Sequence, residues 1–243
     1  MPTPPNKTVP NLRPEAALPG HTMSTAAPAP RLVVGLGNPG AEYAKTRHNA
    51  GFWFCEGLAY DLGAHFSFES RFHGFVASVR EGSRPWLLMP QTYMNRSGQA
   101  VGALARFYRI LPNEILVIHD DLDLPPGQLR LKLGGGSGGH NGLKDTTAHL
   151  GVPDYWRLRI GIGHPGDRNE VVNYVLKPPL QEERGSILEA IDRALAAWPL
   201  LAGGDWEKAA QRLNARPKPP KPVSPPPSKT LVPIPDPADK EKP

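Results

Sequence analysis

Arg31-Leu32-Val33-Val34-Gly35-Leu36-Gly37-Asn38-Pro39-Gly40 sets the fold class. Its first six residues form a β-rich apolar run closed by glycines, which predicts a short buried strand over residues 31–36. Asn38-Pro39-Gly40 is then a tight turn at the strand's end. Downstream, Phe52, Cys55, Leu58, Ala59 and Leu62 recur at helical spacing, so residues 48–62 read as a helix. Residues 75–80 and Trp86–Pro90 read as strands, a hairpin or sheet neighbours. Val101, Leu104, Ala105 and Tyr108 mark one face of a helix over residues 97–108. Residues 114–119 form an apolar strand that runs straight into Asp120. Leu129–Leu133 alternates like a strand at the sheet margin, Asn141–Leu150 is a helix, and Leu158, Ile160 and Ile162 line one face of a strand over residues 156–162. Residues 180–201 and 206–213 read as terminal helices. This alternation implies an α/β fold: a single-domain, three-layer sandwich with a mixed, mostly parallel sheet flanked by helices. Ligands of such sheets bind at the carboxyl ends of the strands, so Asn38 and Asp120 should face one crevice.

Proline marks the limits of this domain. Of 30 prolines, 8 lie in residues 1–30 and 11 in residues 216–243, leaving 11 for the 185 residues between. Both ends lack apolar periodicity and read as disordered, Pro-rich segments: an arm over residues 1–30 and a basic tail over residues 216–243. Residues 31–215 form the domain. Met23 offers an alternative start that leaves only a short arm. Six basic and three acidic residues give the tail +3, and the arm carries +1, so the domain holds only +1 of the net +5. An anionic partner fits the overall charge, but the domain needs a local basic patch to hold it. A single cysteine, Cys55, fits a reducing cytosol. With no apolar run of about 18 residues, no membrane span is expected.

The polar residues sit at the ends of these elements. His48, at a helix start, can be a plain capping residue or a general base. A base needs a partner that holds its tautomer while the other ring nitrogen takes a proton from water. Asp120, Asp121 and Asp123 all compete for that orienting role. No Gly-x-Ser-x-Gly elbow is present, so water is the better nucleophile. His119-Asp120-Asp121 lacks a ligand spacing that suggests a metal. The glycine run over residues 134–142 is a flexible linker or a phosphate cradle, and neither a P-loop nor a dinucleotide fingerprint. Asn141 reads as the N-cap of the helix that follows. Lys132, Lys144, Arg157, Arg159 and Arg168 are a solvated surface or a phosphate clamp, and Tyr43, Tyr93 and Tyr155 are candidate stacking rings. The inventory suits hydrolysis by an activated water.

Six motifs occur in a recognisable order: Gly35-Leu36-Gly37-Asn38-Pro39-Gly40, Thr46-Arg47-His48-Asn49-Ala50-Gly51, Pro90-Gln91-Thr92-Tyr93-Met94-Asn95, His119-Asp120-Asp121-Leu122-Asp123-Leu124-Pro125-Pro126-Gly127, Gly138-Gly139-His140-Asn141-Gly142 and the stretch from Arg157 to Gly166. With them, residues 31–213 resemble the bacterial-type peptidyl-tRNA hydrolase family. The resemblance implies cleavage of the ester between a peptide and the terminal ribose of tRNA, without metal or cofactor, by a cytoplasmic monomer with the ribosome as a further partner. It implies His48 as general base, Asp120 as its orienter and Asn38 as a contact to the peptide. It also implies Tyr43, Tyr93, Asn95 and Asn141 along the substrate channel, and Lys132 and Arg159 as a clamp on the tRNA 5′-phosphate. The Pro-rich arm and tail depart from the family pattern, and the tail reads as a weak extra contact to RNA. Two rival readings are an RNA-binding protein on the same scaffold and a peptidase. The peptidase needs a nucleophile near the base, and Cys55 lies on an apolar face instead.

Overall fold

Leu32–Gly35 is β1, buried along its whole length. Its residues lie between two parallel neighbours, Trp86–Pro90 and Ile115–Asp121. The computed structural model describes residues 27–78 and 85–216; the expectations for residues 1–26, 79–80 and 217–243 fall outside them. The elements follow in chain order: β1, α1 (Ala50–Asp61), β2 (Ser67–Glu69), β3 (Gly74–Ala77), β4 (Trp86–Pro90), α2 (Ser97–Phe107), β5 (Ile115–Asp121), β6 (Leu129–Leu133), α3 (Asn141–Leu150), β7 (Trp156–Gly161), α4 (Val171–Val175), α5 (Gln181–Leu195), α6 (Trp198–Ala202) and α7 (Trp206–Asn214). The sheet order is β2-β3-β4-β1-β5-β7-β6. The four strands β4, β1, β5 and β7 run parallel; β3 and β6 run against them, and β2 pairs antiparallel with β3 at the margin.

Alternate residues of the strands feed two cores. Val33, Leu116, Ile118, Leu158 and Ile160 pack with α1 and α5–α7 on one face. Val34, Leu88, Val117 and Tyr155 pack with α2 and α3 on the other. The result is a three-layer α/β sandwich. As its alternation implied, β6 is an edge strand, with Leu129 and Leu131 buried and Arg130 and Lys132 exposed. Residues 27–30, placed in the arm by composition, meet the last helix, where Trp206 Nε1 donates to the Pro28 carbonyl at 3.0 Å.

Three features differ from the sequence reading. The helix over residues 180–201 is two helices, α5 and α6. Pro199 has no N–H for the Leu195 carbonyl, and its ring crowds that carbonyl, so α5 stops at Leu195. β2 and α4 were not foreseen: three and five residues are too few to display a period. Tyr155 is buried in the core and bonded through its hydroxyl to Thr147, so it is no stacking platform.

Candidate active site

His48 lies in a tight turn, Arg47–Asn49, that leads into α1. Two glycines seat this turn against the strand ends. A Cβ on Gly35 would strike the Gly51 carbonyl, and one on Gly51 would lie 2.5 Å from backbone atoms of Leu36 and Ile118. Both neighbours of His48 are buried and anchored. Asn49 closes a double bond with Asn38: its Oδ1 accepts from the Asn38 N–H, and its Nδ2 donates to the Asn38 carbonyl, both at 2.9 Å. Asn38 in turn accepts at Oδ1 from the Met94 N–H at 2.7 Å. The loop that carries Tyr93 and Asn95 is thereby tied to the loop after β1. A pocket of about 160 Å³ opens beside Asn38, walled by Phe52, Trp53, Gln91 and Glu56.

Asp120, buried near the end of β5, meets two imidazoles. His48 Nδ1 lies 2.9 Å from each of its carboxylate oxygens, and His140 Nε2 lies 3.0 Å from Oδ1. His140, not Asn141, is the N-cap of α3: its Nδ1 accepts from the Leu143 N–H. That contact uses the Nδ1 lone pair and assigns the proton to Nε2, so His140 donates to Asp120. His119 Nδ1 bonds the Asp120 carbonyl at 2.6 Å, and its ring stands edge-on to His140 at 5.0 Å.

Burial alone would depress the His48 pKa, but the Asp120 charge and hydrogen bond outweigh it and raise the group above its usual 6.5. Burial likewise opposes ionisation of Asp120, yet His48 and His140 hold its carboxyl well below the usual carboxylate range. His119, fully desolvated and beside His140, is pushed down to about 3 and stays neutral. The carboxylate is therefore charged, His48 is a strengthened base, and its Nε2 remains as the proton acceptor. His48, Asp120 and His140 each offer a possible ligand atom within 4.8 Å of the others. In the geometry here both imidazole nitrogens lie within hydrogen-bond distance of the carboxylate.

The structure brings His48 and Asp120 into contact and joins Asn38 to them through Asn49. Tyr43 is half-buried, and its carbonyl is held by the Thr46 N–H and hydroxyl. Tyr93 and Asn95 are exposed on the turn before α2, and Asn141 is exposed at the first position of α3. The two remaining candidate orienters are occupied elsewhere. Asp121 grips Arg159 through both oxygens at 2.5 and 3.0 Å, and Asp123 approaches it at 3.4 Å. Arg159 is thus already paired, while Lys132 is exposed on the adjacent edge strand. Arg157 is no surface cation: it is buried and donates to the carbonyls of Gly135, Gly136 and Pro153, which fastens the glycine run. Sequence reasoning gave no role to His140 or Asn49. Both stand inside motifs already quoted, but nothing in the sequence says that they face Asp120 and Asn38.

A family model described as peptidyl-tRNA hydrolase matches residues 32–221, most of the chain. The chain belongs to the peptidyl-tRNA hydrolase family. Among relatives in this family, a peptidyl-tRNA hydrolase of Azoarcus sp. (strain BH72) is 77% identical over 195 residues, 80% of this chain and 88% of that protein. One from Aromatoleum aromaticum is 77% identical over 192 residues, 79% of this chain and 97% of its own length. The crystal structure of peptidyl-tRNA hydrolase from Acinetobacter baumannii matches with a TM-score of 0.74 at 50% identity, covering 76% of this chain and 95% of that one. No helix among the described residues of this peptidyl-tRNA hydrolase family member is long and apolar enough to cross a membrane.

Proposed function

We propose that this chain hydrolyses the ester between the peptide and the terminal ribose of peptidyl-tRNA, releasing free tRNA from aborted translation. The observation that carries the mechanism is the 2.9 Å contact of His48 Nδ1 with the Asp120 carboxylate. With Nδ1–H given to Asp120, His48 Nε2 takes a proton from water. The resulting hydroxide adds to the ester carbonyl. Collapse of the tetrahedral intermediate breaks the bond to the ribose oxygen, which recovers the proton from His48. A positioned base contributes roughly 10²–10⁴-fold. Orientation and dipoles aimed at the oxyanion supply the rest, and the amides of Asn95 and Asn141 are the donors for both. Asn38 contacts the peptide and Tyr43 and Tyr93 line its path. Lys132 holds the 5′-phosphate, with Arg159 kept in place by its pairing with Asp121, so affinity falls with salt. The catalytic unit is residues 31–215, acting without metal or cofactor as a cytoplasmic monomer that meets its substrate as it leaves the ribosome.

The test is release of labelled acyl group from N-acetyl-aminoacyl-tRNA, with unblocked aminoacyl-tRNA alongside and chelator present. Only the blocked substrate should be cleaved, and His48→Ala should abolish turnover while tRNA binding stays nearly intact. Turnover of His48→Ala within a few-fold of the unmodified protein removes His48 from the base role. Binding without any cleavage favours the RNA-binding scaffold.

A further inference from the structure

The residue before the base has its own network, which the reaction does not use. The Arg47 guanidinium is buried and donates through one nitrogen to the carbonyls of Tyr174, Lys177 and Pro178, each at 3.1 Å. Its other nitrogen pairs with Glu183 at 2.6 Å. The Arg47 N–H also bonds the Lys177 carbonyl at 3.2 Å. These acceptors close the C-terminal end of α4, while the same Glu183 oxygen accepts the Leu180 N–H at the start of α5. Arg47 lies 3.9 Å above the Tyr174 ring. The Tyr174 hydroxyl donates to the Ile162 carbonyl at 2.7 Å, and the Ile162 N–H donates to the Asp121 carbonyl at 3.0 Å.

Followed in space, these contacts close a circuit. It runs from His48 to Arg47 by the chain, to Tyr174 by stacking, to Ile162 and Asp121 by hydrogen bonds, and back to Asp120 and His48. The separation of His48 from Asp120 is therefore set twice, once by their own contact and once from behind. We infer that Arg47, with Glu183 and Tyr174, forms a latch of positioning residues that holds the base against its orienting carboxylate. The inference rests on the reading of His48 as the base. It adds that a segment more than a hundred residues further along the chain, with no contact to the reacting atoms, sets the geometry of the pair. The charge that acts on His48 is that of Asp120, with the His140 ring 5.0 Å away, and Arg47 acts through position.

Arg47→Lys and Tyr174→Phe test this. The lysine keeps the charge but cannot span three carbonyls and a carboxylate, and the phenylalanine removes one hydroxyl. Each protein is first shown to be folded by its thermal transition. The expected result is kcat lower by roughly ten- to a hundred-fold in Arg47→Lys, as small misplacements of reacting groups cost, with KM within about two-fold. Tyr174→Phe should fall less, in the same direction. A proton NMR titration of the His48 ring gives a readout independent of turnover: its midpoint should move down in Arg47→Lys as contact with Asp120 loosens. A folded Arg47→Lys with unchanged kcat and an unchanged His48 midpoint overturns the latch. A shifted midpoint in a protein that shows no hydrolysis even unmodified keeps the latch and rejects the base assignment instead.

Discussion

At the residue scale, the site turns on one carboxylate between two imidazoles. In the proposed reaction His48 acts as a base only when neutral, and Asp120 raises its pKa above 6.5. The rate should therefore rise with pH through a midpoint above that value. Asp120→Asn removes the charge responsible, so the midpoint should move to lower pH while the plateau falls by roughly 10²–10⁴-fold, though less than in His48→Ala. A pH–rate profile of both proteins checks this, and an unmoved midpoint excludes Asp120 as the cause. The same shifts both stabilise the fold, with opposite dependence on pH. The raised His48 contributes fully below its unfolded value of 6.5, and its contribution is lost as pH rises through the folded value. The depressed Asp120 contributes above its unfolded value of 3.8, and its contribution is lost as pH falls through the folded one.

At the scale of the elements, the turn that carries His48 is seated by the close approach of α1 to the ends of β1 and β5. Gly51 has backbone at 2.5 Å from where a Cβ would stand, and backbone cannot swing away as a side chain can. Gly51→Ala should destabilise the fold by about 1–3 kcal/mol, the usual range for overpacking. It should also shift the His48 turn, so activity should fall further than the lost stability explains. Urea denaturation with activity measured well below the midpoint checks both. Full stability would mean that α1 has room the structure does not display. The split of α5 from α6 belongs to this scale too: apolar spacing continued through Pro199, but the missing N–H did not let the helix follow it.

At the scale of the whole molecule, the domain is nearly neutral and its cations are unevenly committed. Arg157 is buried and Arg159 is gripped by Asp121, whereas Lys132 and Arg130 are exposed on the edge strand. A modest basic surface gains from a further +3 in the tail. Removing residues 216–243 should weaken tRNA binding a few-fold at low salt and leave it unchanged at high salt, where such attraction is screened. Equal affinity with and without the tail at low salt would leave it no role in RNA binding.

Apart from β2, α4 and the α5–α6 break, the sequence by itself determined the longer strands and helices and their order, with the layers, the edge position of Leu129–Leu133 and the motif residues His48, Asp120 and Asn38. Those follow from local period, composition and motif order, which neighbours in the chain suffice to specify. The residues alone left Asp120, Asp121 and Asp123 open, the resemblance implied Asp120, and the tertiary structure seats Asp120 against His48. It alone brought His140 to the same carboxylate, made His140 rather than Asn141 the helix cap, and buried Arg47 and Arg157 as anchors. The reason is physical. A hydrogen bond or ion pair depends on direction and on distances of about 3 Å between groups 20 to 136 residues apart in the chain. Hydrophobic burial carries no such direction, so it leaves a period in the sequence, and a specific polar contact leaves none.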